Sequence, residues 1–355
     1  ELVGELESGK PMYITTHNNV NVVNALDANL YDNPFDGFSI DGTDINIAMI
    51  DNLFPRRTHE LFRLPNVPIT SRITNRFNAF DIDDAIFSST NIGSHPTHIA
   101  GTIMGNRVVG STSSSPDNLL VRGVAIKSTL DAYHWKDHFL KTRYIAEANT
   151  TNILNKSFGV ILQNEPATFG RYNDLAFIAD DVMCKYPTFQ IVKSVGNERI
   201  AVNGIVTHDQ QTILGGYDLL ESEGIAKNVL VVGAVNLNCK SQTSPCQPPF
   251  ITENIGTSFS SYGPTDDGRI KPDVVTHGYQ VKSSTTIGSV NSNTSYEIKN
   301  GTSTAAAGVS GGIALLHQYW NLKWPSSGTM WSSTVRALLI HNVDEIDAPG
   351  PDYRH

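Results

Sequence analysis

The chain has 355 residues and a formal net charge of −9, with 26 lysines and arginines against 35 aspartates and glutamates. Charged residues make up 17%, below the usual share of about a quarter, and no basic stripe is present to neutralise phosphates, which argues against nucleic-acid binding. No apolar run approaches the roughly 20 residues of a membrane span, while the length is enough to bury a large core.

In chain order, residues 1 to 40 form an N-terminal entry segment. The run Ile45-Asn46-Ile47-Ala48-Met49-Ile50 then reads as a buried strand that delivers Asp51 at its C-terminal tip. Further apolar runs at residues 152 to 154, 189 to 195 and 229 to 235 read as parallel strands buried on both faces. Helical stretches are predicted at 95 to 105, 137 to 149, 168 to 183, 303 to 320 and 332 to 342. Polar stretches at Gly110 to Asp117 and Asn238 to Pro249 read as surface loops. Strands alternating with helices predict an α/β fold: a three-layer, doubly wound, mostly parallel sheet with helices on both faces, forming one domain over residues 1–355.

The chemistry is concentrated in Asn300-Gly301-Thr302-Ser303-Thr304-Ala305-Ala306-Ala307. A glycine turn before a small-residue helix displays Ser303 at a helix N-terminus, where positive potential and unpaired N–H groups suit an oxyanion. Taken alone, Ser303 reads better as a helix cap. A serine nucleophile needs a base and an acid to orient it. His95 lies in Gly93-Ser94-His95-Pro96-Thr97-His98, where Ser94 is placed to cap a helix and Pro96 falls in its first turn. Asp51 supplies the acid.

These segments resemble those of the subtilisin-like serine peptidases, the subtilases, in the family order Asp, His, Ser. The matching residues are Ile-Asp at Asp51, His-x-Thr-His-x-Ala-Gly-Thr at His95 and Gly-Thr-Ser-x-Ala-Ala at Ser303. Ser194-Val195-Gly196-Asn197-Glu198 resembles the strand end carrying the family's oxyanion-hole asparagine, which would be Asn197. Leu154-Asn155-Lys156-Ser157-Phe158-Gly159 resembles the segment that pairs with extended substrate and walls the pocket for the residue before the scissile bond. The resemblance implies a secreted endopeptidase working by acyl transfer through Asp51, His95 and Ser303. Substrate contacts are expected from Ser157, Phe158, Gly159, Gly196 and Glu198. It also implies broad specificity with an apolar preference, protein or peptide substrates, a pro-segment inhibitor and a monomeric state. No cofactor is implied for catalysis. Structural calcium fits the family, and Asp81, Asp83 and Asp84 offer oxygen ligands at close spacing, although a solvated acidic turn accounts for them better and no metal ligand is assigned.

Departures from the pattern are Thr304 in place of methionine after the serine, Ala307 in place of proline, Pro96 in place of glycine, and Asn52 in place of a small hydroxyl residue. Two rival readings are set beside this one. A catalytically silent subtilase-like module would lack a triad member. An α/β-hydrolase esterase would use Gly308-Val309-Ser310-Gly311-Gly312 as an elbow, with Asp344 or Asp347 and His355, and needs a strand before Ser310. His134 and His138, and likewise His95 and His98, have helical spacing. Neither pair has a third metal ligand, so His98 reads as structural and the other two as a solvated helix entrance. Cys239 and Cys246 flank a short loop and fit a local disulfide, with Cys184 left over. Residues 10 to 26 resemble the start of mature extracellular subtilases. The sequence begins at Glu1 and stops after Pro349-Gly350-Pro351-Asp352-Tyr353-Arg354-His355, so a missing signal and pro-segment and a missing C-terminal closing element are expected.

Overall fold

Apolar runs that are buried on both sides have one stable arrangement, a sheet covered by helices on each face. The computed structural model describes residues 2–5, 11–13, 26, 36–64, 67–76, 91–106, 121–159, 169–199, 215–239, 250–251, 256–286 and 293–343. Among these, β1 (Asn46–Asp51), β2 (Ile73–Asn75), β3 (Thr129–His134), β4 (Ile153–Lys156), β5 (Gln190–Ser194), β6 (Leu230–Val235) and β7 (Val274–His277) form one sheet in the order β7-β6-β5-β4-β1-β3-β2. Every neighbouring pair is parallel. The helices are α1 (Ser94–Met104), α2 (His138–Ala148), α3 (Asp174–Lys185), α4 (Thr302–Lys323) and α5 (Ser332–His341).

Alternation along the strands divides the apolar residues between two cores. In β1, Ile47 and Met49 join the core containing Ile99 and Ile103 of α1 and Ala305, Val309 and Ile313 of α4. Ala48 and Ile50 face the other way, with Ile145 of α2 and Ala176, Ala179 and Val182 of α3. In β6, Leu230, Val232 and Ala234 take the first side and Val231 the second. The three-layer α/β architecture is the one expected from the sequence.

Several boundaries differ. The helix expected from residue 168 begins at Asp174, because the Asn173 side chain accepts a hydrogen bond from Ala176 N at 2.9 Å and caps it there. Strand β3 was not foreseen because it carries Asp131. That carboxylate is buried in the sheet and paired with Arg76 Nε at 2.8 Å and Asn46 Nδ2 at 3.0 Å, partners distant in sequence. The hairpin of β8 (Val281–Ser284) and β9 (Tyr296–Lys299) was also unread.

Two features position a site. β1 lies between β3 and β4, so the chain adds strands first to one side of β1 and then to the other, and the crevice beyond the C-terminal ends at such a reversal is where α/β sheets hold ligands. The β8–β9 hairpin clamps α1: Ser283 Oγ donates to the His98 carbonyl at 3.0 Å and Ser284 Oγ to that of Thr97 at 2.8 Å. The approach is so close that a Cβ on Gly101 would collide with both serine hydroxyls and stand 3.2 Å from Ser284 N.

Gly101→Ala should therefore lower the melting temperature, since overpacking of about 1–3 kcal/mol exceeds the ~1 kcal/mol that alanine gains over glycine in a helix. Gly312→Ala in α4 should raise it, because the added Cβ meets only Leu26 at an ordinary 3.8 Å. Thermal unfolding of the two variants checks both signs.

Candidate active site

Asp51 ends β1 with its side chain fully buried, and its Oδ1 accepts the Asn52 backbone N–H at 2.8 Å. His95 Nδ1 lies 2.8 Å from Oδ1 and 3.0 Å from Oδ2. Burial would lower the His95 pKa, but the charge of Asp51 and its hydrogen bond outweigh that effect, so the imidazole is held above its ordinary value. With the carboxylate on Nδ1, the proton there is fixed and Nε2 is the nitrogen left to take part in chemistry.

The local reason His95 stands at a helix start differs from the expectation. Gly93, not Ser94, is the N-cap, and it makes no side-chain cap bond. A Cβ on Gly93 would come within 2.9 Å of Pro96 Cδ, so the proline in the first turn requires a glycine before the helix. Ser94 instead donates to Glu297 Oε2 at 2.8 Å, with Thr285 Oγ1 at 2.9 Å, tying the helix start to the hairpin. His98 is structural, as expected. Its Nε2 lies 3.0 Å from the Val281 carbonyl, and burial pushes its pKa down to about 3.

Ser303 is the second residue of α4, whose N-cap is Gly301, so it does not cap the helix. Its hydroxyl donates to the Ser157 carbonyl at 2.9 Å while Ser157 Oγ donates back to the Ser303 carbonyl at 3.0 Å. Asn155 Nδ2 donates to Ser157 Oγ at 3.0 Å, and Asn155 Oδ1 accepts from Ser310 Oγ at 3.0 Å. Ser310 is fully buried in mid-helix, with helix rather than strand before it, which removes the elbow geometry. Gly196 has φ 116°, a conformation that favours glycine, and turns the chain out of β5. Asn197 follows, and its Oδ1 accepts Thr302 N at 3.0 Å and Thr302 Oγ1 at 3.1 Å. A backbone N–H can only donate, so the amide orientation is fixed and Nδ2 is the free donor.

The structure thus joins Asp51 to His95 directly, and joins Ser303, Ser157, Thr302 and Asn197 through the first turn of α4. Of the remaining expected substrate-contact residues, Phe158 lays its ring against Trp135 and His138, with centroids 5.7 and 5.2 Å away. Gly159 and Gly196 each face a carboxylate: a Cβ would strike Glu221 Oε1 at the former and Glu198 Oε2 at the latter.

Sequence reasoning missed Glu221, Lys156, Lys193 and Glu223. The available signal was charge inside apolar runs, in Ile153-Leu154-Asn155-Lys156, Ile191-Val192-Lys193 and Leu219-Leu220-Glu221-Ser222-Glu223. It also misjudged His134 and His138, which are not at a solvated entrance. His134 is buried at the end of β3, and His138 Nδ1 sits 2.9 Å from Lys156 Nζ and 3.3 Å from Glu223 Oε1. Burial would raise the Glu223 pKa, but Lys156 and His138 hold that carboxylate well below the usual range. Cys184 is free and exposed. Asp81, Asp83, Asp84, Asp344, Asp347, His355 and Cys246 lie outside the described residues. Among the described residues no group of three or more His, Cys, Asp or Glu side chains is placed to hold a metal, and no helix is long and apolar enough to cross a membrane.

A family model described as the Subtilase family matches residues 37–354. Among curated proteins, the chain is 26% identical over 245 residues to the Serine protease/ABC transporter B family protein tagD of Dictyostelium discoideum, covering 51% of this chain and 13% of that protein. It is 23% identical over 357 residues to tagA of the same description and organism, covering 71% of this chain and 19% of the relative. The chain therefore spans a fifth or less of these relatives. Among solved structures, the Clostridium perfringens CspB protease superposes with a TM-score of 0.64 at 14% identity, over 93% of this chain and 96% of that one. A cold adapted subtilisin-like serine proteinase gives 0.55 at 18% identity, over 93% and 95%.

Thr304, next to Ser303, is buried and donates from Oγ1 to the Gly301 carbonyl at 2.7 Å. A methionine at that place would become a bulky polar sulfoxide on oxidation, and threonine cannot. Reactivity of Ser303 toward a serine-directed fluorophosphonate should survive mild peroxide treatment; rapid loss would refute this.

Proposed function

The chain belongs to the subtilase family of serine endopeptidases, and from that premise we propose that it hydrolyses peptide bonds by acyl transfer at Ser303, with His95 as general base and acid and Asp51 orienting it. The observation that carries the assignment is the 2.8 Å contact between His95 Nδ1 and the buried Asp51 carboxylate at the C-terminal edge of the sheet.

In the resting arrangement the Ser303 hydroxyl is engaged by the Ser157 carbonyl. Reaction requires rotation of that hydroxyl toward His95 Nε2, which takes its proton as Oγ attacks the substrate carbonyl carbon. The imidazolium so formed is stabilised by Asp51. The negative charge on the tetrahedral oxygen is received by Asn197 Nδ2 and by the Ser303 backbone N–H, which lies in the first helical turn where no intrahelical acceptor exists. Collapse breaks the peptide C–N bond, and His95 delivers its proton to the leaving amine. Water then enters by the same route, giving its proton to His95 and releasing the acid product and Ser303. The proposed chemistry draws on no cofactor. An extended substrate would add as a strand along Ser157 to Gly159, the rotation freeing the Ser157 carbonyl. Secretion, a single catalytic domain, monomeric action on proteins or peptides and control by a pro-segment belong to the same reading, supported by the family and by the resemblance of residues 10 to 26 to mature extracellular members. Broad specificity with an apolar preference belongs to the same reading, as the resemblance implies.

A fluorophosphonate probe followed by peptide mapping should place the label on Ser303, and Ser303→Ala should abolish hydrolysis. Label on another serine, or none, would overturn the assignment. Asn197→Ala should lower turnover by about two to three powers of ten with a much smaller change in KM. Neutral His95 is the active base and its pKa is raised, so the acid limb of kcat/KM should lie above the ordinary value of 6.5. Asp51→Asn removes the charge that raises it, so the limb should move down as turnover falls by about 10⁴.

A further inference from the structure

We propose that Glu297 and Lys299 of β9 form a charged pair that positions the base: Glu297 fixes Ser94 beside His95 and offsets the charge that Lys299 presents to the imidazole. The inference rests on the endopeptidase reading and adds two positioning residues to it. Successive residues of a strand point to opposite faces, so Glu297 and Lys299 share one face of the hairpin and Ile298 takes the other. Glu297 stands opposite Ser283 in the register, and both side chains reach α1. Ser283 Oγ donates to the His98 carbonyl at 3.0 Å, and Glu297 Oε2 accepts from Ser94 Oγ at 2.8 Å. The charged face of β9 is therefore the one turned to the helix that carries the base. Ile298, on the outer face, is 43% exposed. A hairpin lying on the body of a protein ordinarily turns its apolar residues inward and its charges to water. Here the order is reversed, and breaks in patterning of that kind collect at functional positions.

Glu297 Oε2 gathers three donors. Ser94 Oγ lies at 2.8 Å, Thr285 Oγ1 at 2.9 Å and Lys299 Nζ at 3.1 Å. Ser94 is the first residue of α1 and His95 the second, so the imidazole takes its place from a helix start held by that carboxylate. The helix has no acidic residue in its own first turn, and its N-cap Gly93 makes no side-chain bond. Glu297 supplies from the hairpin the negative charge that a helix N-terminus favours. Burial would raise the Glu297 pKa, but the hydrogen bonds of Ser94, Thr285 and Lys299 hold it below the usual carboxylate value, so it is ionised wherever His95 titrates.

The charges around His95 pull against one another. Burial lowers its proton affinity, Asp51 on β1 overrides that effect, and Lys299 on β9 opposes Asp51. On the same helix His98 is neutral, burial pushing its pKa down to about 3, and Lys299 and Glu297 act on it with opposite signs. Glu297 holds an opposite charge 3.1 Å from the Lys299 ammonium and so offsets its effect on the imidazole. The same carboxylate thus sets where the base stands and keeps it basic enough to take a proton.

The test is the pH dependence of kcat/KM on one peptide, for the full chain and its variants. Glu297→Gln removes a negative charge and leaves Lys299 unopposed, so the His95 pKa should fall and the acid limb move to lower pH by a few tenths of a unit. Lys299→Met removes the opposing positive charge, so the limb should move to higher pH by a similar amount. The double variant should return toward wild type. Both shifts should shrink in about 1 M salt, since the pair is partly exposed. On the pH plateau, Glu297→Ala and Ser94→Ala should lower kcat by about tenfold with a smaller change in KM. Glu297→Gln keeps an oxygen for Ser94 and Thr285 and should recover most of that loss. A merely structural role would not move the two limbs in opposite directions. Limbs that stay in place in both charge variants, or that move the same way, overturn the inference, as does a wild-type kcat in Glu297→Ala. Fluorophosphonate labelling of Ser303 in parallel separates the two levels: label with unmoved limbs sinks the charged pair alone, and absence of label in the wild type sinks the endopeptidase reading with it.

Discussion

The site depends on how the first turn of α4 is docked against the ends of β4 and β5. Apolar burial of Ala305, Ala306, Ala307, Val309 and Ile313 brings the helix onto the sheet, but such contacts are non-directional and tolerate small shifts along the axis. The polar contacts remove that freedom. Ser157 and Ser303 exchange side chain to backbone bonds, and Thr302 N and Oγ1 both engage Asn197 Oδ1, with Gly196 N donating to Thr302 Oγ1 at 3.3 Å. Each is worth only about 0.5–1.5 kcal/mol net, well below the packing. Their value is positional, since one set of bonds fixes the serine, the donor amide and the substrate-facing backbone together.

A second clamp holds the base independently. Helix α1 packs beside α4 but is held in register by the β8–β9 hairpin through Ser283, Ser284 and the His98 imidazole. Helix α1 is anchored to that hairpin, a separate two-stranded sheet, and α4 to the ends of β4 and β5, so the relation between His95 and Ser303 is set by the core the two helices share. That is why a buried carboxylate at the end of β1, a costly group to bury, is tolerated there: its partner is delivered to it by a rigid element.

Much of this was legible in the sequence, and the limits have physical causes. Asp51, His95 and Ser303 were visible because each sits at a junction between periodic segments, where local pattern and backbone geometry coincide, whereas Asn197 was read from the family resemblance. β1, β4, β5 and β6 were visible because strands buried on both faces are continuous apolar runs. β3 was not, since Asp131 breaks its run and is stabilised by Arg76 and Asn46, which only folding brings near. Ser94 looked like a cap from composition alone, while the structure commits its hydroxyl to Glu297 on the hairpin. Glu221 was invisible for the same reason as Arg76: nothing local says that it will lie against Gly159.

The two glycines also set where two acids lie. A strand-pairing segment normally offers side chains as well as backbone, yet here Gly159 and Gly196 offer backbone alone, and the space their side chains would fill holds carboxylate oxygens. Some buried charges are closed internally, as with Lys271 Nζ, which meets Asp273 Oδ2 at 2.7 Å and the Val229 carbonyl at 2.9 Å. A pair closed in that way has no further capacity. Glu221 differs, since its Oε2 accepts no hydrogen bond among the described residues. Glycine at these positions is thus a condition for the two carboxylates to lie where they do, since a Cβ at either would collide with them.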